Sequence, residues 1–140
     1  MSEFKFHIPM VVRFRDLDAM GHVNHVVYLT YLESARIAYY LNVVRGTSFK
    51  DLDFILAEVS CTYKSPAFFG ETLLVFVRMT SIGKSSFVLE FEIREKETQR
   101  LVATARSVQV MYDYEKGQSK PIPEELRNKL EQFEDRKGGY

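Results

Sequence analysis

The chain has a single cysteine, Cys61. One thiol cannot close an intrachain disulfide, and it cannot build a cysteine-based metal site. A reducing compartment fits this usage. Net charge is missing as well: 19 Lys and Arg balance 19 Asp and Glu. That balance leaves no electrostatic footprint for a nucleic acid or an anionic membrane, so an anion would have to be held by a local cluster. No segment approaches the roughly 18 uninterrupted apolar residues of a membrane span. The N-terminal MSEFKFHIPMVVRFRD carries Glu3, Lys5 and Arg13 and lacks the apolar core of a signal peptide. A soluble, cytoplasmic protein is expected. Gly-x-Ser-x-Gly, dinucleotide and P-loop motifs are absent, which disfavours serine-hydrolase and nucleotide-binding chemistry. No repeat, linker or low-complexity run divides the 140 residues, so one domain over 1–140 is expected.

What the chain does have is apolar surface. Hydrophobic residues make up 46%, with eleven Phe and eight Tyr, enough for one core. A domain of this size buries a modest share of its surface, which makes self-association plausible. Residues 4–14 read as a strand, with Pro9 placing it at an edge or a bulge. Residues 15–21 read as a loop. From about 24 to 42 the pattern is helical: Tyr28, Leu32, Ala35 and Tyr39 recur at spacings of four, three and four. Asn24 suits the N-cap, and Gly46 lies just past the end. Apolar residues spread almost all round this helix, and Thr30, Glu33, Ser34 and Arg36 form a restricted polar patch. Such a helix is expected to be buried on most sides.

Strands follow at 54–63, 71–82, 87–94 and 101–112, read as a hairpin succession. A short amphipathic helix over 123–133 presents Leu126, Leu130 and Phe133 on one face. A single antiparallel sheet wrapped about the central helix meets these demands, an α+β arrangement.

Asp16, Asp18, His22 and His25 crowd the turn before the long helix. Unpaired N–H groups at a helix start suit a developing oxyanion. Read as residues alone, the cluster has three explanations: caps and turn formers, a catalytic group, or ligands for a divalent metal. The spacing matches no common metal motif, and no metal is expected.

The order of residues resembles the 4-hydroxybenzoyl-CoA thioesterase family of hotdog proteins. The matching positions are Phe14, Asp16, Asp18, Gly21, His22, Val23 and Asn24. Tyr28, Leu29, Tyr31, Leu32, Glu33, Ala35 and Arg36 continue the match. Weaker matches are Tyr63-Lys64-Ser65-Pro66 with Gly70-Glu71, and Ile82-Gly83-Lys84-Ser85-Ser86. The resemblance implies a hotdog fold, with a five-stranded antiparallel sheet around a long helix and a short C-terminal helix. It implies an acyl-CoA thioesterase in which Asp18 is nucleophile or general base. The backbone N–H at about His25 would receive the oxyanion, with the His25 side chain assisting. Asn24, Tyr63, Lys84, Ser85 and Ser86 are candidate contacts to substrate or coenzyme A. Glu33 is the runner-up catalyst, since another hotdog clade carries its carboxylate on this helix.

No cofactor is expected beyond the coenzyme A of the substrate, which could be replaced by acyl carrier protein. A homodimer or homotetramer with sites at the interface is implied. Competing functions are a hotdog 3-hydroxyacyl-thioester dehydratase and a non-catalytic acyl-CoA-binding protein. Glu33 and Arg36, spaced i, i+3, are expected to pair. Cys61 is expected in the core, and His7 has no supporting pattern.

Overall fold

The computed structural model describes residues 4–43 and 53–135. In chain order the elements are β1 (Phe6–Val11), a 3-10 turn (Phe14–Asp16), α1 (Val27–Val43), β2 (Phe54–Tyr63), β3 (Thr72–Ile82), β4 (Ser86–Glu95), β5 (Leu101–Asp113), β6 (Gln118–Ser119) and α2 (Glu124–Asp135). The five long strands form one antiparallel sheet in the order β1-β3-β4-β5-β2, and β6 adds only to the end of β5. Among the described residues no helix is long and apolar enough to cross a membrane.

The sheet departs from a simple hairpin succession. β3, β4 and β5 are joined as hairpins, but β2 pairs with β5 and leaves β3 to pair with β1. The segment between β2 and β3 cannot be a tight turn. Pro66 lies in it, and its backbone is engaged elsewhere: Lys64 and Ser65 donate to the Val102 carbonyl, and Ala67 accepts from Val23. β1 and β2 are therefore the two sheet edges. Pro9, which has no N–H to give, sits on edge strand β1 as expected.

β4 alternates between half-buried and buried positions along its whole length, so one face turns inward. Leu32, Ala35 and Tyr39 of α1 meet Leu73, Val75 and Val77 of β3 and Leu89, Phe91 and Ile93 of β4, all at most 1% exposed. Bulges interrupt the ladders between Leu56 and Glu58, between Met79 and Ser81, and opposite Ile93 and Arg94. An extra residue bends its strand and raises the local twist, which lets the sheet curl around the helix.

Two expectations about α1 need correction. The helix begins at Val27, because Asn24 is spent on a preceding turn. Its Oδ1 accepts from the Val26 N–H (3.0 Å) and its carbonyl from the Val27 N–H (2.9 Å). Within one chain the helix is also covered on one side only. Leu29 and Leu41 remain 39% and 45% exposed, since the sheet reaches only the opposite face. Gly46 lies outside the described residues.

Glu134, near the end of α2, reaches back into the sheet. Its carboxylate accepts from the Tyr39 hydroxyl and from the Met79 N–H (2.9 Å) at the second bulge. The bulge would otherwise strand a backbone donor. Glu134→Ala removes an ionised acceptor from two donors, and it is expected to cost about 2–3 kcal/mol. The urea midpoint reads this directly; an unchanged midpoint would show that α2 docks through its apolar face alone.

Candidate active site

The site begins with an anchor. The Asp16 carboxylate is 2% exposed. It accepts from the Arg13 N–H (2.9 Å), from the Arg13 guanidinium (3.0 and 3.3 Å) and from the Tyr31 hydroxyl (2.8 Å). Burial pushes its pKa up. The hydrogen bonds from Arg13 and then Tyr31 outweigh burial and hold the carboxylate below its ordinary value. Asp16 is thus fully engaged and unavailable as a reagent. Its carbonyl accepts from the Asn24 N–H (2.9 Å), tying the 3-10 turn to the helix start.

Asp18 stands two residues on, in a small loop closed on itself. Leu17 bridges Val23, the Asp18 N–H donates to His22 (2.9 Å), and the Gly21 N–H returns to Asp18 (3.1 Å). Gly21 turns the loop at φ +89°, a conformation that costs a side-chain-bearing residue dearly. One carboxylate oxygen of Asp18 accepts from the Met20 N–H (2.8 Å). The other lies 3.8 Å from His22 Nδ1, too far for a hydrogen bond. Asp18 is therefore oriented through one oxygen and keeps the other unengaged among the described residues.

The helix start supplies the second element. The Asn24 carbonyl is aimed along the helix at the Val27 N–H. In a trans peptide the N–H points opposite to its C=O, so the His25 N–H points back, away from the helix. It has no acceptor among the described residues. The His25 carbonyl is held by the Tyr63 hydroxyl (2.8 Å), and the two rings meet edge to face. Tyr28 packs against Tyr63, and burial pushes its phenol up to about 12, so it stays neutral.

Asp18, His22, His25, Tyr28 and Tyr63 line one cavity of about 440 Å³, closed on its far side by Lys64–Pro66. Arg100 fixes that wall. It donates to Ser65 Oγ (3.2 Å) and the Pro66 carbonyl (3.0 Å) while paired with Glu71. Nothing in the sequence marked Arg100, a common surface type far along the chain. Arg13 and Tyr31 lay in or beside the motif, but only the fold shows that both serve Asp16.

Other candidates lie elsewhere. Lys84, Ser85 and Ser86 sit at the opposite end of the 11-residue β3. At about 3.3 Å per residue, that is roughly 30 Å from the cavity within one chain. Their turn packs against the segment leading into α2 and against α2 itself: Ile122 donates to the Lys84 carbonyl and Arg127 to the Gly83 carbonyl. Glu33 lines a second cavity, with Arg36 and Tyr40. The expected Glu33–Arg36 pair is not formed, because Glu33 faces outward and Arg36 turns inward. Among the described residues no cluster of three His, Cys, Asp or Glu could hold a metal. Asp16 is committed to Arg13 and does not converge with its neighbours. Cys61 is half-buried, packs on the core, and has its pKa raised by burial. His7 is exposed and stacks on Phe76.

Comparison with known proteins places this geometry among relatives. A thioesterase complexed with coenzyme A and Zn from Thermus thermophilus is 32% identical, with a TM-score of 0.86 over 97% of this chain and 99% of that one. The long-chain acyl-CoA thioesterase FadM of Escherichia coli is 28% identical over 127 residues, covering 87% of this chain and 94% of FadM. YsmA of Bacillus subtilis is 29% identical over 90 residues, 64% of this chain; the match spans 61% of YsmA. The family model of the thioesterase-like superfamily matches residues 12–130. The fold is the hotdog fold, and the chain belongs to the thioesterase-like superfamily.

Proposed function

We propose that the chain is an acyl-CoA thioesterase, a single catalytic domain over 1–140, with Asp18 as its catalytic carboxylate. One observation carries the reading. An oriented carboxylate with an unengaged oxygen and an outward backbone N–H at a helix start line the same cavity. These are the two groups that hydrolysis of a thioester asks for.

In the general-base form, Asp18 takes a proton from water as the water oxygen bonds to the thioester carbon. The carbonyl electron pair moves onto oxygen, which accepts from the His25 N–H. Collapse restores the carbonyl, breaks the C–S bond and expels the CoA thiolate, and Asp18 gives its proton up to the thiolate or to solvent. In the nucleophilic form, an Asp18 oxygen bonds to the carbonyl carbon first, the C–S bond breaks and the CoA thiolate leaves, giving a mixed anhydride that water opens to the free acid and the Asp18 carboxylate. Both yield a carboxylic acid and CoA. A thiolate leaves readily, so this route asks for no metal and no strong acid. His25 lines the cavity, and its side chain is proposed to assist there.

Self-pairing belongs to the proposal. The exposed helix face and edge strand β2, which ends at Tyr63 beside the cavity, support a homodimer or larger homo-oligomer. Lys84, Ser85 and Ser86 can meet the same coenzyme A only if a second copy brings them.

A panel of aliphatic, aromatic and 3-hydroxyacyl-CoA thioesters, assayed for free thiol and for enoyl product, tests the reading. Thiol release matched by free acid is expected from at least one member. Enoyl product without thiol would make the protein a dehydratase; binding with neither would make it a carrier.

A further inference from the structure

A backbone N–H stabilises an oxyanion well only if its direction is set before the charge forms. The peptide that carries the His25 N–H is held at its other end, where the Asn24 carbonyl accepts from the Val27 N–H (2.9 Å). The next peptide, between His25 and Val26, is held at both ends. Its N–H donates to Asn24 Oδ1 (3.0 Å), and its carbonyl accepts from the Tyr63 hydroxyl (2.8 Å). The two planes meet at the His25 Cα and are joined only by the two soft dihedrals there. Holding the second plane steady limits rotation of the first about that joint.

The two anchors differ in kind. Asn24 belongs to the same turn as the groups it holds, so the turn and its anchor move together. Tyr63 stands 38 residues away in the chain. It ends β2 and pairs with Ala103 in the ladder to β5, so it refers the helix start to the sheet. Its ring is set by Tyr28, 5.2 Å away between centroids and itself 3% exposed. Burial, then the nearby Cys61, hold the Tyr63 phenol above its ordinary pKa, so it keeps the proton it donates.

We propose that Tyr63 is a positioning residue for hydrolysis: through the His25 carbonyl, its hydroxyl holds the His25 N–H on the line where the oxyanion forms. The role rests on the thioesterase reading of the same cavity. It requires the hydroxyl alone, without contact between Tyr63 and the substrate.

Steady-state kinetics of wild type and Tyr63→Phe on the best acyl-CoA of the panel test this. Phe keeps the ring and deletes the donor. A fall in kcat of about tenfold is expected, short of the roughly 10²–10³-fold that follows outright loss of an oxyanion donor. KM should stay within about twofold, the pattern of an interaction made in the transition state. The thermal midpoint should fall by a few degrees at most, since one neutral hydrogen bond is lost.

Two backgrounds separate an effect on the N–H from any other. His25 is the second residue of the turn closed by Asn24 and Val27, a position that favours Pro. His25→Pro deletes the N–H, and His25→Ala keeps it. Adding Tyr63→Phe should cost about tenfold in His25→Ala and nothing further in His25→Pro. If His25→Pro does not fold, an acyl-CoA analogue with a trifluoromethyl ketone in place of the thioester reads the same N–H. Tyr63→Phe should then bind it less tightly by the factor lost in kcat.

Unchanged kcat in Tyr63→Phe would overturn the proposal, as would equal binding of the ketone. A raised KM at wild-type kcat would also overturn it, since that marks direct substrate contact, as would an equal loss in both backgrounds. A wild type that releases no thiol overturns the thioesterase reading and this role with it; an active wild type matched by Tyr63→Phe overturns this role alone.

Discussion

Asp18→Asn is expected to slow thioester turnover by about 10²–10⁴-fold while leaving the fold intact. Asn has nearly the shape of Asp, and its amide oxygen can still accept from the Met20 N–H that orients residue 18. The loop closed by Asp18, Gly21 and His22 does not depend on the side-chain charge. What is lost is the oxygen that takes a proton or attacks carbon. The side chain is 29% exposed, so the swap strands no charge in the core. The loss should therefore fall on kcat with KM and thermal midpoint near wild type, the pattern of an interaction made in the transition state. A variant retaining kcat within about threefold would place the chemistry elsewhere, with Glu33 next to be tested.

Asp16→Ala should damage stability and activity together. It strands the buried Tyr31 hydroxyl and removes the ionised acceptor of three Arg13 bonds. Hydrogen bonds to an ionised group are worth more than neutral ones, and about 2 kcal/mol or more of stability is expected to go. Arg13 itself is 57% exposed and returns to water, which limits the loss. Activity falls because Asp18 and the helix start both hang from this turn.

The sign with pH follows from the depressed Asp16 pKa. Its contribution is fully present above the unfolded-state value of about 3.9, and it is lost as pH falls through the folded value. Wild type and Asp16→Ala should thus differ most in urea midpoint near neutral pH and converge in acid. A constant gap down to pH about 2 would contradict the role given to the Asp16 charge.

Much of the architecture was legible in the sequence because it rests on local periodicity. β2 lies at residues 54–63 as expected, and β4 shows the alternation read from Phe87, Leu89, Phe91 and Ile93. Pairing was less legible. Whether β2 folds back on β3 or crosses to β5 depends on where Lys64, Ser65 and Ala67 find backbone partners, and those lie far away in sequence. The helix looked buried all round because periodicity counts apolar residues without saying which molecule covers them. Leu29 and Leu41 show the difference.

At the site, the motif located Asp18 and His25 because both sit within one short segment. It gave no hint that Tyr63 holds the His25 carbonyl or that Arg100 fixes the opposite wall, since those contacts span the sheet. Arg36 looked like a partner for Glu33 on a mostly buried helix. Its burial could be seen only once the helix had been laid on the sheet.

The central claim is that the cavity at the start of α1 hydrolyses acyl-CoA. Free-thiol release from the best substrate of the panel, followed side by side for wild type and Asp18→Asn at equal folded concentration, tests it most directly. Steady multiple-turnover release is predicted from wild type, and release close to the uncatalysed rate from the variant. Equal release from both, or none from wild type on any acyl-CoA, would contradict it.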